Sequence, residues 1–235
     1  MRLACALLPR YDGVVVLSSV IGEALVETFG LRLNHLVAYP PAPLLALPPV
    51  QRRDRPRIVY LGNFYRWQGV DMLLQALRLL DSWDSGCTVR LIGGTREELQ
   101  SINGDQPLPP QIEDVRRVPP EEVVAELEAA DILVVPRPDT PINRTTARKL
   151  GEYLASGRHV VVTDVGDHRL LLSSSDCAIV VAPTPEAIAK GLHDAILRVR
   201  SEHPAVRDGP DLAARYFGPE ATINARLRFF AQSSS

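Results

Sequence analysis

The chain has 235 residues, of which 46% are hydrophobic, so it can bury the core of one large domain or of one domain with an appendage. Its 26 basic and 28 acidic residues give a formal net charge of -2 and are interspersed along the chain, which disfavours nucleic acid as a partner. The three cysteines, Cys5, Cys87 and Cys177, are far apart and form no Cys/His pattern with metal-ligand spacing, so we expect no metal site, no disulfide framework and a reducing compartment.

The N-terminal stretch MRLACALLPRYDG contains too short an apolar run for a secretory signal, whose apolar region covers roughly 7 to 15 residues. No apolar run approaches the ~20 residues of a membrane span. We therefore expect a cytoplasmic protein, with peripheral contact at a membrane surface left open.

The first forty residues predict a short strand, a helix and a second short strand. Residues 13–17 form an apolar run, and either Ser18 or Ser19 can cap a helix that extends to about Phe29. The second strand is expected at 36–39.

A proline-rich stretch and then a regular alternation follow. Six prolines between 40 and 56 indicate a linker or domain boundary. Beyond it, segments with helical spacing of leucine and valine separate apolar, strand-like runs. These runs lie at 57–62, 88–93, 132–135, 159–163 and 178–182, with a weaker one at 115–118. The alternation predicts an α/β fold, a doubly wound, Rossmann-like parallel sheet with helices on both faces, followed by C-terminal helices broken at Gly218-Pro219.

Ligands of such sheets bind beyond the carboxyl ends of the strands, in the turns that lead into the next helices. Three turns are therefore candidates: 62–69, 93–96 and 136–146. The first is a glycine turn between a buried strand and a helix, where many α/β proteins hold a phosphate, and the second begins with Gly93.

The third turn predicts a helix whose start, near 143–146, directs unpaired backbone N–H groups at an anion. Lys149 can neutralise a phosphate there, and the carboxylate of Glu152 can accept both hydroxyls of a ribose. A plain surface ion pair between Arg148 and Glu152, four residues apart, is the alternative interpretation of these charges.

The order of four segments resembles the C-terminal, nucleotide-sugar-binding domain of glycosyltransferase family 4, whose members are retaining enzymes of the GT-B fold. The segments are YLGNFYRWQGVDMLLQAL, VRLIGG, VPPEEVVAELEAADILVVPRPD and KLGEYLASGRHVVVTDVG. The resemblance covers about 50–220, and its specificity lies in their joint order.

Upstream, DGVVVLSSVIGEALVETFG is similar to the last strand and helix of the N-terminal, acceptor-binding domain of that fold. The resemblance therefore implies that most of that domain is missing. It divides the chain into the end of an acceptor-side domain with the start of the linker (1–45), a nucleotide-sugar-binding domain (46–216) and a C-terminal helix with a frayed tail (217–235).

Two departures from the family pattern stand in the candidate turns. The family commonly has basic residues directed at the donor diphosphate where Asn63 and Gln68 stand here, and a first glutamate where Arg144 stands, whereas Glu152 matches the second glutamate. A subgroup with Tyr-Gln-Gly in the first turn and a Lys before Tyr-Leu-Ala-Ser-Gly is similar to the present arrangement, which includes Lys149.

Replacing a cation by an amide at a phosphate loses about 1.5 to 3 kcal/mol of charge-assisted hydrogen bonding. The missing charge can be returned by Arg66 in the same turn, and by Arg137, Arg144 and Lys149 across the crevice. Simple surface exposure is the alternative interpretation of Arg66.

The resemblance implies a hexosyltransferase-like enzyme that binds a nucleotide-diphosphate sugar as donor substrate, needs no further cofactor or metal, and transfers the sugar with retention. Thr145 and Thr146 are expected to add hydroxyl or N–H contacts, and the catalytic residues are expected mostly in the missing half. The expected donor-site residues are Gly62, Asn63, Arg66, Gln68, Gly69, Gly93, Arg137, Arg144, Thr145, Thr146, Lys149 and Glu152.

Two other interpretations stay open at this point. Alone, the chain is expected to be weakly active or inactive, so a non-catalytic nucleotide-sugar-binding or interaction module, working with an N-terminal-domain partner or as a dimer, is one alternative. Another GT-B enzyme, such as a sugar-nucleotide epimerase, is the second, because a fold alone does not select a function.

Overall fold

The computed structural model describes residues 11–29, 34–84, 86–201 and 208–233, and a parallel β-sheet forms its centre. The strands are β1 (Val14–Val16), β2 (His35–Val37), β3 (Arg57–Leu61), β4 (Thr88–Ile92), β5 (Ile112–Arg116), β6 (Ile132–Val135), β7 (His159–Thr163) and β8 (Ala178–Val181). The helices are α1 (Ser19–Phe29), α2 (Val70–Trp83), α3 (Arg96–Asn103), α4 (Val123–Ala129), α5 (Arg148–Ala155), α6 (His168–Leu172), α7 (Pro185–Arg200), α8 (Gly209–Phe217) and α9 (Pro219–Ser233). Short 3-10 helices cover Arg66–Gln68, Pro120–Glu122 and Pro141–Arg144.

Strands β3 to β8 form one six-stranded sheet in the order β5-β4-β3-β6-β7-β8, and all its neighbouring strands are parallel. The chain moves outward from β3 through β4 to β5 and then returns to place β6 on the other side of β3. The strand order therefore reverses between β3 and β6, and a doubly wound sheet opens its ligand crevice at such a point. The predicted fold class is confirmed.

Alternate residues of each strand face opposite hydrophobic clusters. In β3, Ile58 and Tyr60 belong to one cluster, which is covered by α2 and α7. Val59 belongs to the other, which is covered by α5 and α8. Each fully buried aliphatic side chain stabilises the fold by roughly 1.5 to 3 kcal/mol, so both faces hold the strand ends rigidly in place.

The N-terminal strands form a separate parallel pair, β1 with β2, connected through α1. Ser18 caps this helix, because its hydroxyl accepts a hydrogen bond from the Ile21 N–H at 3.2 Å. The buried carboxylate of Asp167 accepts hydrogen bonds from the Ser19 N–H (2.7 Å), the Ser19 hydroxyl (2.6 Å) and the Tyr39 hydroxyl (2.9 Å). One carboxylate thus attaches the start of α1 and the segment after β2 to the loop that follows β7.

Cys87 and Cys177 are buried and free, and burial raises the pKa of both thiols, which fits apolar filling of the core. Cys5 lies outside the described residues. No helix in the described ranges is long and apolar enough to cross a membrane.

We predict that Asp167→Ala loosens the N-terminal unit without unfolding the sheet. The change leaves the Ser19 N–H and the Tyr39 hydroxyl without their acceptor, which costs about 1 to 3 kcal/mol. Hydrogen exchange of peptides from 14–26 should accelerate, while peptides from β6 and β7 keep their protection. Asp164→Ala is the matched control, because Asp164 forms a more exposed ion pair with Arg169 and its loss should change exchange little. Equal exchange of 14–26 in both variants would contradict the anchoring role of Asp167.

Candidate functional site

The turn after β3 and the turn after β6 meet at the reversal point of the sheet. A Cβ atom added to Gly69, which has φ of 80°, would overlap the carbonyl oxygen of Pro136. A Cβ atom at Gly62 would collide with the ammonium of Lys149, and one at Gly93 would lie 2.5 Å from the Gly62 carbonyl oxygen. At Gly69 and Gly93 the added atom would meet backbone, whereas at Gly62 it would meet the movable end of a lysine side chain. All three positions have a positive φ, between 80° and 152°, which favours glycine.

Lys149 places an amine without an ion pair in this crevice. It lies in the first turn of α5, and its Nζ sits 4.5 Å from the centre of the Tyr60 ring. Among the described residues, its ammonium forms no hydrogen bond or ion pair. Burial, with a further contribution from the nearby Arg137, lowers the pKa of Lys149 to about 7, against a weaker opposing effect of Glu152. A half-buried amine at a strand-end crevice, with no counterion of its own, is suited to receive an anion.

Arg137 is a second, more deeply buried cation at the end of β6. It is 9% exposed, its guanidinium donates to the Thr145 carbonyl at 3.1 Å, and its Cζ lies 6.0 Å from the Trp67 ring centre. Its Nε has no hydrogen-bond partner within the described chain. Burial lowers the pKa of Arg137, as it does for Lys149, so both groups favour an incoming negative charge.

The other two predicted arginines occupy different positions. Arg66 pairs with Asp71 at 3.6 Å and donates to the Ile102 carbonyl at 3.3 Å, so residues of α2 and α3 hold this exposed side chain. The structure does not bring Arg66 into contact with the Lys149 side of the crevice. Arg144 ends the third 3-10 helix with an exposed side chain, and its carbonyl accepts a hydrogen bond from Ser18 at 2.6 Å.

The predicted helix start near 143–146 is wrong. A 3-10 helix occupies Pro141–Arg144, and α5 begins only at Arg148. The Thr146 N–H donates to the Leu17 carbonyl at 3.3 Å, which removes it as a free donor for an anion.

The next N–H is also engaged, since that of Ala147 donates to Nε2 of His168 at 3.4 Å. Burial lowers the pKa of His168 to about 4, so its imidazole stays neutral and can accept this bond. Long-range partners thus satisfy the backbone where we expected an open helix start. The Thr146 hydroxyl is buried without a partner in the described part of the chain.

The two neutral residues of the first turn differ in exposure. Asn63 is exposed, its carbonyl accepts the Tyr60 hydroxyl at 2.9 Å, and its side chain lines a cleft of about 420 Å³ together with Tyr65 and Arg117. Gln68 is half-buried, and its Oε1 has no hydrogen-bond partner among the described residues.

Glu152 forms the ion pair with Arg148 that the alternative interpretation expected, at 3.3 Å. Its side chain is 26% exposed, so the pair is not sealed from solvent. Such a pair contributes a few tenths of a kcal/mol and can be exchanged for a ligand hydroxyl.

Two functional candidates carried no sequence signal. The Tyr153 hydroxyl accepts from the Leu61 N–H at 3.0 Å and donates to the Leu61 carbonyl at 3.2 Å, which holds the end of β3 against α5. The fully buried Asn143 donates from its side-chain amide to the Trp67 carbonyl at 2.7 Å. The sequence predicted Tyr153 as an apolar helix position and Asn143 as part of a helix start.

No group of three or more His, Cys, Asp or Glu side chains in the described ranges could hold a metal ion. The site therefore consists of cations, glycines and amides at the carboxyl ends of β3, β4 and β6. A doubly wound parallel sheet with such a crevice places the protein among Rossmann-like α/β proteins.

Comparison with known proteins gives the family. Residues 55–198 match the family model of group 1 glycosyl transferases, and the chain belongs to this family. A search of curated proteins found no match.

Solved glycosyltransferases share the fold. A glycosyltransferase from Rickettsia africae has a TM-score of 0.76 at 14% identity, over 97% of this chain and 65% of that one. Sucrose-phosphate synthase from Thermosynechococcus elongatus has a TM-score of 0.77 at 20% identity, over 100% of this chain and 62% of that one. HepE from Anabaena, in complex with UDP-glucose, has a TM-score of 0.74 at 15% identity, over 99% of this chain and 66% of that one. The chain thus spans less than two thirds of each of these GT-B structures.

We predict that Lys149 makes the stability of the protein depend on pH. Its pKa of about 7 in the folded protein lies below the value of about 10.4 in an unfolded chain. Between these values the unfolded chain binds more protons, so folding stability rises with pH from about 7 to 10. Lys149→Met removes this dependence, and it should be more stable than the parent protein at pH 6.5, with a gain that shrinks by pH 9.5.

Urea unfolding at pH 6.5, 8 and 9.5 measures the effect. Lys190→Met is the matched control, because Lys190 is the second of the two lysines in the chain and is exposed on α7. Its difference from the parent protein should stay constant with pH. A Lys149→Met gain that does not change with pH would show that the ammonium is hydrated rather than buried.

Proposed function

We propose that the chain is the donor-binding part of a retaining GT-B glycosyltransferase and that the crevice between β3 and β6 binds a nucleotide-diphosphate sugar. The observation that carries the proposal is the Lys149 ammonium, which lies against Gly62 without a counterion at the reversal point of the sheet. Membership of the glycosyltransferase family and the UDP-glucose complex of the HepE neighbour support the same ligand class.

In this proposal the diphosphate lies over Gly62 and Gly69, whose missing side chains let its oxygens approach the backbone. Lys149 and Arg137 supply positive charge from the opposite turn, and the exposed Arg144 adds to it at the rim. When the bond to the sugar breaks, these groups stabilise the negative charge that develops on the leaving nucleotide.

The neutral first turn has a defined role in the same proposal. Asn63 and Gln68 contribute neutral hydrogen bonds where cations would be stronger by about 1.5 to 3 kcal/mol each. Arg66 is tied to Asp71, so the compensating charge comes from α5 and β6 rather than from this turn.

Glu152 is proposed to bind the ribose of the nucleotide. Its carboxylate can accept two hydroxyl hydrogens, and its pairing with Arg148 is weak enough to yield to them.

The unit β1-α1-β2 is proposed as the edge of an acceptor-side domain, held to the donor part by Asp167. A non-catalytic nucleotide-sugar-binding module is the second candidate. An assay for free nucleotide distinguishes the enzyme from the module. In the presence of acceptor fractions, an enzyme releases nucleotide from the bound sugar nucleotide, whereas a module binds the sugar nucleotide and leaves it intact.

Calorimetric titration with UDP, GDP, ADP and their glucose conjugates tests the donor site. We expect binding of at least one nucleotide below millimolar concentration, and a loss of about tenfold or more in Lys149→Met, which corresponds to ~1.4 kcal/mol. Lys190→Met should bind as the parent protein does. The absence of binding by all six compounds at millimolar concentration would overturn the proposal.

Nucleotide affinity should also depend on pH in a defined direction. A bound diphosphate raises the pKa of Lys149 from about 7, because it stabilises the ammonium form. Binding therefore takes up a proton above pH 7, and affinity should fall by up to about tenfold per pH unit between pH 7 and 9. Calorimetry in buffers of different ionisation enthalpy measures the proton uptake. It should vanish in Lys149→Met, and uptake that persists in this variant would assign the proton to another group.

The ribose contact is tested with a pair of ligands. The parent protein should prefer the ribonucleotide over its 2′-deoxy analogue by about 10- to 150-fold, the effect of one hydrogen bond to a charged group. Glu152→Ala should bind both equally, whereas Arg148→Ala, which removes only the pairing partner, should keep the preference. A preference that survives in Glu152→Ala would exclude the ribose role.

A further inference from the structure

One side-chain amide connects the two turns of the crevice. Asn143 is fully buried, and its Nδ2 lies 2.7 Å from the Trp67 carbonyl oxygen, 2.9 Å from the Pro138 carbonyl oxygen and 3.2 Å from the Thr140 hydroxyl. Trp67 belongs to the turn after β3, whereas Pro138 and Thr140 belong to the turn after β6. The two amide hydrogens are shared among acceptors on both sides of the reversal point.

From this geometry we infer that Asn143 is a positioning residue of the donor site: it holds the turn after β3 against the turn after β6 and so sets the width of the crevice at Lys149. The inference rests on the proposed function in treating this crevice as the donor site. The contact itself is a property of the unliganded protein.

The other contacts between these turns cannot replace the amide. Within the described chain, the bond from Asn143 to Trp67 is the one hydrogen bond that joins the two turns. Gly69 meets Pro136 by close approach, which sets a limit on distance but supplies little attraction. The Arg137 guanidinium lies 6.0 Å from the Trp67 ring centre, at the outer limit of a cation–π interaction.

The position requires a hydrogen-bond donor and leaves its acceptor unused. Asn143 Oδ1 is buried and has no partner in the described part of the chain. Leaving a buried acceptor unpaired costs about 1 to 3 kcal/mol. The stabilising contacts of the Asn143 side chain are therefore those of its N–H groups, which donate to carbonyls of the two turns.

Lys149 reports on the width of the crevice. The groups that face its ammonium are the Tyr60 ring on β3, Arg137 at the end of β6, and Glu152 on α5. Its low pKa arises from burial first and from Arg137 second. If the turns separate, water reaches the amine and its pKa rises, whereas a variant that only lowers global stability leaves the folded-state pKa unchanged.

The test is an NMR titration of the unliganded protein after reductive ¹³C-methylation of its lysines. With two lysines in the chain, Lys190→Arg assigns the Lys149 signal. We expect Asn143→Ala to raise the pKa of Lys149 by about one unit or more, and Asn143→Ser, whose hydroxyl keeps one donor, to raise it by less. Asn103→Ala, which removes a surface amide of α3, is the matched control and should cause no shift.

A second variant opens the turns without changing Asn143. Gly69→Ala inserts a methyl group against the Pro136 carbonyl and should raise the pKa of Lys149 in the same direction. An unchanged Lys149 titration in folded Asn143→Ala, or in both Asn143 variants while Gly69→Ala shifts it, would overturn the role of Asn143.

Nucleotide titration of the same variants separates this inference from the proposed function. If the parent protein binds UDP, GDP or ADP, we expect Asn143→Ala to weaken that binding by about tenfold and Asn143→Ser to restore part of it. If no nucleotide binds but the Lys149 pKa rises as expected, the proposed function fails and the positioning role stands.

Discussion

The crevice between β3 and β6 depends on one half-buried ammonium, which lies beside an aromatic ring and forms no ion pair among the described residues. Removing Lys149 from water is unfavourable, and the Tyr60 ring offsets this only in part, since a cation–π contact is worth about 0.5 to 2 kcal/mol. The remainder must be supplied by the sheet beneath. Two hydrophobic clusters, one on each face of β3 and β6, hold the strand ends so firmly that the crevice cannot relax around the charge. Burial of the amine is therefore unfavourable locally, and the crevice keeps its shape only because the packed sheet beneath it is rigid.

That rigidity follows from topology. β3 and β6 are neighbours in the sheet although 70 residues separate Leu61 from Ile132, and the reversal of strand order leaves no helix between their carboxyl ends. Two backbones can then meet directly, as Gly69 meets Pro136. Close approach alone does not fix an orientation, however, and the Tyr153 and Asn143 hydrogen bonds supply the direction that steric contact lacks. The sheet brings the turns together, and these polar side chains hold their relative position.

Much of this architecture was predictable from the sequence, because it is encoded by periodic, local patterns. Apolar runs and helical spacing predicted the parallel sheet, and the glycines marked the close approaches. The start of α5 was mispredicted because the two N–H groups just before it are satisfied by Leu17 and His168, partners that no local pattern indicates. Asn143 was missed for the same reason, since Trp67 lies 76 residues away along the chain. Satisfaction of buried polar groups is a long-range property, and hydrophobic periodicity carries little information about it.

The neutral first turn acquires a physical meaning in this setting. Arginines in place of Asn63 and Gln68 would add permanent positive charge to that of Arg137, whatever the pH. With Asn63 and Gln68 there instead, much of the charge rests on Lys149, whose pKa of about 7 lets it change state when an anion arrives. A ligand that does not reach Lys149 gains little from it, because the amine becomes fully protonated only when an anion lies next to it. Under the proposed function, the divided crevice therefore favours an anion held between the two turns over one bound loosely at either. That selectivity requires a fixed distance between the turns. The amide of Asn143 sets this distance, and the amine of Lys149 supplies the charge.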